Sequence, residues 1–145
     1  PHYSMLHRAR VENHLMPVTH GHGIGLTSFS PLESGILSGK YSDGIPDGSR
    51  ASLENMGWLR DRLTPEVLAA VKELGALAAS LNATSAQLAI AWILRRKEIT
   101  SVITGATSLQ QLEENLGAGE LAEKLDEAAI DRIFAIISPV ADRKE

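Results

Sequence analysis

Apolar residues along the chain recur first at helical spacing and then in a short continuous run. Residues 8–20 carry one apolar face and are followed by Gly21-His22-Gly23, which predicts a helix end. Residues 24–29 form a run of apolar and β-branched residues bounded by glycine and proline, which is typical of a buried strand. A second run of this kind, residues 99–104, predicts a second strand.

Capping residues mark the starts of further helices. Thr64 followed by Pro65 predicts an N-terminus, and an apolar face then continues to residue 82. Thr84-Ser85-Ala86-Gln87 has the spacing of a capping box and opens another helix almost at once. Residues 108–116 and 126–137 predict two more helices. The resulting order of helix, strand, long loop, helices, strand and helix is that of parallel α/β proteins.

Two strands are too few for such a sheet. Parallel strands need neighbours at their edges and helices on their faces. The chain also begins Pro1-His2-Tyr3, without an initiator methionine. We therefore expect the chain to be the tail of a larger barrel or layered sheet.

A long segment, residues 30–63, separates the first strand from the next long helix. It holds five glycines and shows no sustained apolar period, and a loop of this length in a compact domain is usually functional. Both this loop and the turn at 105–115 follow a strand with small residues and then lead into a helix. Backbone N–H groups at such turns attract negatively charged oxygen. The two turns together predict a nucleotide site.

Composition narrows the classes of function. The length of 145 residues and the apolar content of 43% suit one globular domain. The net charge of −4, with no block of lysine and arginine, argues against nucleic acid or an anionic membrane as a partner. No stretch approaches the ~20 apolar residues that cross a bilayer, so we expect a soluble cytoplasmic protein. The chain has no cysteine, and its histidines stand beside no carboxylate at ligand spacing, so no metal site is expected.

Two long motifs carry a resemblance to a known family. SPLESGILSGKYSDGIPDGSRAS begins at Ser30 and ITSVITGATSLQQLEENLGA begins at Ile99, with WLRDRL and QLAIAWILR between them. Together they resemble the C-terminal part of an aldo-keto reductase, closest to the branch that contains the voltage-gated potassium-channel β subunits. The resemblance runs from about Tyr3 to Ile137.

The resemblance implies an α/β fold, a (β/α)8 TIM barrel that binds NADPH in an extended pose. Such a barrel needs about 250 residues, more than this chain has. Residues 24–29 and 99–104 would correspond to strands seven and eight, and residues 30–63 would form a loop that covers the cofactor. Phosphate sites of barrels lie in the loops after strands seven and eight, which are the two turns identified above.

By position, the resemblance also implies roles for residues of the first loop. Phe29 would place its ring against the nicotinamide, where the channel-β branch usually has tryptophan. Lys40 would face a phosphate, and Arg50 would close over the cofactor. The turn that lies along the pyrophosphate would be formed by Ser30, Pro31, Leu32, Ser34 and Gly35.

The second loop would hold the adenosine end. Gly105 and Thr107 would grip the adenosine 2′-phosphate, and Gln111, Glu114 and Asn115 would project towards adenine and ribose. Positions 107, 111, 114 and 115 fall on one face of a helix, which supports this interpretation independently. Without the resemblance, the same residues would be interpreted as an ordinary helix cap and a solvated face.

The catalytic Asp, Tyr, Lys and His of the family belong to earlier strands, and their motifs do not occur in this chain. We therefore expect the complete protein to be an NADPH-dependent reductase of aldehydes or ketones, to which this chain contributes the cofactor-binding part. One alternative is a cytoplasmic NADPH-binding regulatory β subunit of a membrane potassium channel, with a homo-oligomer as a family expectation. A truncated, inactive remnant is the other alternative.

Overall fold

The computed structural model describes residues 1–142, in which two parallel strands lie side by side. Strand β1 (Leu26–Phe29) pairs with strand β2 (Ile99–Ile103), with Leu26 opposite Ile99 and Phe29 opposite Ile103. One irregularity interrupts the register between Leu26 and Thr27. Because the strands run in the same direction, their C-terminal ends lie side by side, and the chain leaves both strands at the same end of the sheet.

The first residues of the chain lie along the other side of β1. The N–H of Phe29 donates to the carbonyl of Pro1 over 3.0 Å, and the N–H of Tyr3 donates to the carbonyl of Phe29 over 3.3 Å. These bonds form a parallel bridge centred on His2. Strand β1 therefore has neighbours on both sides, whereas no strand within residues 1–142 pairs with the outer edge of β2.

Helices make up most of the remaining regular structure. A π-helical turn at Val11–Leu15 leads into the first α-helix, and short 3-10 segments occur at Glu33–Ser38 and Arg50–Ser52. In chain order the α-helices are α1 (Met16–Gly21), α2 (Gly57–Asp61), α3 (Pro65–Ser80), α4 (Ser85–Leu94), α5 (Leu109–Leu116), α6 (Ala118–Lys124) and α7 (Glu127–Ile137).

Helix α4 lies at the centre of the core. It packs against α3, α5, α6 and β2, and its six residues from 88 to 93 are all buried. A helix that is apolar on all sides is stable only when surrounded by other elements. The indole of Trp92 is fully buried, with the rings of Tyr3 and Phe134 at 5.4 and 6.1 Å.

The two faces of the sheet differ in exposure. On one face Ser28 and Ile99 are buried against the helices, and Leu26 and Val102 are half-buried. The exposed positions on the other face are Thr27, Phe29, Ser101 and Ile103. This second face is uncovered within the described residues, and it carries two large apolar side chains.

The structure confirms the predicted strands and the long helices but corrects several boundaries. Strand β1 begins two residues later than predicted, because the N–H of Ile24 still donates to the carbonyl of Thr19 and closes the preceding helix. Strand β2 ends at Ile103, one residue earlier than predicted. The helix predicted over 8–20 is not uniform, since a π-helical turn precedes α1.

Two segments hold more structure than the sequence indicates. Residues 30–63, predicted to have no regular structure, contain α2 and both 3-10 segments. Helix α6 was absent from the predictions. Gly117 and Gly119 lie at its start, and glycine lowers helix propensity, which hides the helical pattern there.

The predicted caps are confirmed. The hydroxyl of Thr64 accepts from the N–H of Val67 over 3.4 Å. Thr84 and Gln87 form the full capping box, with bonds of 2.9 and 3.2 Å. At the start of α5 the Ser108 hydroxyl accepts from the N–H of Gln111 over 3.2 Å, a single cap bond without the reciprocal one. At the start of α7 the Asp126 carboxylate accepts from the N–H of Ala129 over 2.8 Å, a cap that was not among the predictions.

Within the described residues, no single helix is long and apolar enough to cross a membrane. Helices α3 and α4 meet the length and composition criteria only as a pair, and they are bent by 86° at the break between them.

Thr84→Ala should lower the free energy of unfolding of the complete protein by about 1 kcal/mol, because the first turn of the central helix loses its side-chain acceptor. Thr84→Ser keeps the hydroxyl and should change that free energy by less than about 0.5 kcal/mol. Urea unfolding measures both values. Equal losses for the two variants would show that the capping hydroxyl contributes nothing.

Candidate functional site

The two predicted turns begin side by side. Ser30 follows Phe29 directly, Thr104 follows Ile103, and Phe29 and Ile103 are partners in the strand register. Neighbouring strands lie about 4.8 Å apart. The chain therefore starts both turns at adjacent points of one sheet edge, where a single extended ligand can reach both.

The first turn has an unusual backbone. Ser30, Glu33 and Ser34 adopt φ angles of +57°, +48° and +56°, and Gly35 follows at +96°. Left-handed conformations cost L-residues of the order of 1–3 kcal/mol each and cluster at binding and catalytic sites. Leu32 precedes Glu33 with a φ of −102°. The N–H groups of Glu33 and Gly35 close the turn internally, because they donate to the carbonyls of Ser30 and Leu32 over 3.2 and 2.9 Å.

Four of the predicted residues meet at this turn. The Lys40 ammonium lies over Gly35, where an added Cβ would come within 2.7 Å of Nζ. Arg50 Nη1 donates to Ser34 Oγ over 3.4 Å. Tyr41 supports the group from the side, since its ring lies 5.2 Å from Lys40 Nζ and its hydroxyl donates to the carbonyl of Ser34.

The two cations at this turn lack carboxylate partners. Neither Lys40 nor Arg50 forms an ion pair with any residue of the described part of the chain. Lysine and arginine bind phosphate well when they are not neutralised by a neighbouring acid. The first turn thus combines a left-handed backbone with two positive charges.

Phe29 lies on the uncovered face of the sheet. Its side chain is 47% exposed and is stacked against the ring of His2, with the centroids 5.4 Å apart and the planes inclined by 23°. Next along the chain, Ser30 is exposed, Pro31 is buried and Leu32 is half-buried. Pro31 and Leu32 therefore support the turn from within, while Phe29 and Ser30 remain accessible.

The second turn is organised by hydrogen bonds to Gln111. Its Oε1 accepts from the N–H of Thr107 over 2.8 Å and from the Thr107 hydroxyl over 3.1 Å. Gly105, Thr107 and Gln111 are exposed, and Glu114 is half-buried and accepts from Gln110. Asn115 is buried, only 9% exposed. The structure thus places Asn115 on the inward side of α5, apart from the exposed pair of Thr107 and Gln111.

Glu33 supports the first turn from its buried side, a role that the sequence did not predict. Its side chain is 1% exposed. Oε1 accepts from the Ser4 hydroxyl and from His2 Nε2, each over 2.5 Å, and Oε2 pairs with Arg62 Nη1 at 2.8 Å. The one available signal was an acidic residue in a stretch of otherwise small and apolar ones.

Glu33 stays ionised despite its burial. Burial raises the pKa of this carboxyl, but the hydrogen bonds from His2 and Ser4 and the charges of His2 and Arg62 outweigh it and lower the pKa below its ordinary value. The ionised form therefore stabilises the fold above the ordinary pKa of a glutamate. That stabilisation is lost as the pH falls through the lowered pKa of the folded state.

Tyr3 lies in the core, and its contacts are structural. It is fully buried, and its hydroxyl donates to Glu12 over 2.8 Å. Glu12 is shared with Arg8 at 2.9 Å and Arg96 at 3.1 Å. Burial raises the pKa of Tyr3 well above its ordinary value, and the charge of Glu12 raises it further. A phenol held in this way exchanges no proton with a ligand at the sheet edge.

A cavity of about 820 Å³ lies elsewhere in the structure. Its lining includes His7, Trp58, Arg62 and Val140 but none of the predicted cofactor residues. Trp58 lines this cavity and is 49% exposed, whereas Trp92 is fully buried in the core. We assign no ligand to this cavity.

A comparison with family models identifies the family. The model of the aldo/keto reductase family matches residues 1–138. The chain belongs to the aldo/keto reductase family. This confirms the resemblance inferred from the two motifs, and the membership extends from the first residue to beyond the end of α7.

Two plant proteins resemble this aldo/keto reductase chain over its whole length. Each is named a probable voltage-gated potassium channel subunit beta. The protein of Arabidopsis thaliana is 44% identical over 147 residues, and that of Oryza sativa subsp. japonica is 40% identical over 147 residues. Each alignment covers 100% of this chain and 45% of the relative. The chain therefore spans about half the length of these relatives.

Gly35→Ala should lower the free energy of unfolding of the complete protein by about 1–2 kcal/mol, because the φ of +96° disfavours an L-residue and the new Cβ would also displace the flexible end of the Lys40 side chain. Gly119→Ala is the matched control. Gly119 lies in α6 with nothing within 4 Å of an added Cβ, so that variant should be unchanged or up to about 1 kcal/mol more stable. Thermal and urea unfolding measure both, and a loss in the α6 variant as large as that in Gly35→Ala would contradict the assignment.

Proposed function

We propose that the complete protein is an NADPH-dependent reductase of aldehydes or ketones and that this chain supplies most of its cofactor site. The observation that carries the proposal is the strand register that sets Phe29 beside Ile103. It starts two anion-attracting turns at adjacent points, as a dinucleotide with phosphates at its middle and at its adenosine end requires. Family membership supplies the class of reaction.

The proposed fold of the whole protein is a (β/α)8 barrel in which β1 and β2 are strands seven and eight. The uncovered sheet face, with Phe29 and Ile103 exposed, would then point into the barrel. The free outer edge of β2 would pair with a strand from the remainder of the protein. Chain length agrees, since the relatives are about twice as long as this chain. Residues 1–145 would form one part of this single domain.

The residues of the two turns fit NADPH chemically. Lys40 and Arg50 are cations without acidic partners among residues 1–142, and the N-terminus of α5 adds partial positive charge beside Thr107. The exposed ring of Phe29 offers an apolar surface for the nicotinamide. The proposed contacts are Phe29, Ser30, Leu32, Ser34, Gly35, Lys40, Arg50, Gly105, Thr107, Gln111 and Glu114, and the buried residues Pro31 and Asn115 would support the two turns from within.

The contribution of this chain would be binding and orientation. Bound NADPH supplies a hydride to the carbonyl carbon of the substrate. Lys40 and Arg50 would neutralise phosphate charge, Phe29 would fix the nicotinamide ring, and residues 30–63 would cover the cofactor and exclude water. Tyr3 would have no proton-transfer role, because its buried hydroxyl donates to Glu12.

A second candidate function rests on the names of the two relatives. Under it, the complete protein would be a cytoplasmic NADPH-binding regulatory subunit of a potassium channel, in which the same two turns hold the cofactor. The two functions differ in turnover. Steady oxidation of NADPH with a panel of aldehydes favours the reductase, whereas tight binding with negligible turnover and co-purification with a membrane channel favours the subunit.

Titration of the complete protein with NADPH, followed by calorimetry, tests the feature that both functions share. Saturable binding of one NADPH per chain is expected. Absence of binding for both NADPH and NADH would overturn the proposal.

Arg50→Ala should weaken NADPH binding by about tenfold, the effect of removing one partly solvated charge-assisted hydrogen bond. NADH carries the same pyrophosphate and should lose a similar factor, because Arg50 lies at the first turn beside Ser34. Arg132→Ala on α7 is the control, since this exposed arginine lies outside both turns. Calorimetry at two salt concentrations measures the constants, and an NADPH affinity that is unchanged in Arg50→Ala would argue against a role of Arg50 at the first turn.

A further inference from the structure

Glu33 connects three separate segments of the chain. Its carboxylate contacts His2 and Ser4 in the N-terminal segment and Arg62 just after α2. Its backbone belongs to the first turn, where its N–H donates to the carbonyl of Ser30 over 3.2 Å. The side chain is buried and the backbone above it is left-handed, so the residue holds the turn without reaching its outer surface.

His2 extends this connection to the aromatic end of the site. The edge of its ring is bonded to Glu33, and its faces are stacked against His7, at 4.2 Å, and Phe29, at 5.4 Å. The orientation of the His2 ring is therefore set by the carboxylate, and the ring in turn supports Phe29. The Glu33 carboxylate thus connects the left-handed turn with the exposed ring of Phe29.

We propose that Glu33 is a positioning residue of the cofactor site, which holds the first turn in its left-handed conformation and, through His2, holds the ring of Phe29. The inference rests on the proposed NADPH-binding function. It adds a residue that does not touch the cofactor and that acts through groups that do. A site ordered in advance binds more tightly, because ordering the turn costs no free energy at the moment of binding.

This positioning role needs a carboxylate at residue 33, because its three partners are two hydrogen-bond donors and a guanidinium. One oxygen accepts two hydrogen bonds, and the other pairs with a guanidinium. Glutamine has nearly the same shape, but its amide nitrogen can only donate and it carries no charge to pair with Arg62. The strained φ angles at Ser30, Glu33 and Ser34 would then have less to hold them, and the turn would spend more time in other conformations.

The test compares Glu33→Gln with Glu12→Gln in the complete protein. Glu12 is a matched control, because it is also a largely buried carboxylate with arginine and hydroxyl partners, yet none of those partners belongs to either turn. Both variants should lose stability. Only Glu33→Gln should weaken NADPH binding, and a fall of the ordered turn to about a tenth of the population raises the Kd about tenfold.

Adenosine 2′-phosphate serves as a second probe, since it can occupy the second turn without reaching the first. The Glu33→Gln protein should bind it as tightly as the wild type does, at a temperature where circular dichroism shows both to be folded. His2→Phe keeps a ring against Phe29 but removes the donor to Glu33, and it should weaken NADPH binding in the same direction. This variant carries the test if Glu33→Gln does not fold.

The possible outcomes distinguish a failure of the positioning role of Glu33 from a failure of the proposed NADPH-binding function. Wild-type protein that binds neither NADPH nor adenosine 2′-phosphate would overturn the proposed function. Wild-type binding of NADPH with no change in either variant of the Glu33 network would overturn only the positioning role. Equal losses for NADPH and adenosine 2′-phosphate in Glu33→Gln, or equal losses of NADPH affinity in Glu33→Gln and Glu12→Gln, would also overturn it, because they would indicate a general loss of structure.

Discussion

The parallel pairing of β1 with β2 is the constraint on which the rest of the structure depends. These strands are separated by about 70 residues of chain, and their register sets Phe29 beside Ile103. The candidate contacts lie at Phe29 itself, in the long loop that follows β1, or in the turn and helix α5 that follow β2. The pairing is held from behind by α4, which packs directly on β2 and buries Trp92. A shift of register would move the two turns apart and reverse the faces of the exposed side chains.

The first turn of the candidate site carries opposite charges on its two sides and a left-handed backbone between them. Lys40 and Arg50 place positive charge on the exposed side of the first turn and have no acidic partner in the described part of the chain. Glu33 places a negative charge on the buried side of the turn and is fully paired. The left-handed backbone between them is costly, and the buried network of Glu33 offsets that cost. The same turn is thereby strained, ordered and positively charged, which are the properties that a phosphate-binding turn needs before its ligand arrives.

Local signals predicted much of this architecture. Thr64, Thr84, Ser108 and Asp126 cap helices because the cap is formed within three or four residues, so the sequence pattern contains the whole interaction. The strand register, the bridge at His2 and the contacts of Glu33 join residues about 30 to 70 positions apart, and no local pattern specifies them. The two turns were found through motifs, but the burial of Asn115 follows from the packing of α5 on α4, which motif spacing does not determine.

Hydrogen exchange of the complete protein, measured by mass spectrometry with and without saturating NADPH, tests the central claim most directly. The account predicts slower exchange on binding in residues 30–40 and in residues 105–115 together, because one ligand spans both turns. Protection of only one turn, or protection confined to segments outside both, would contradict it.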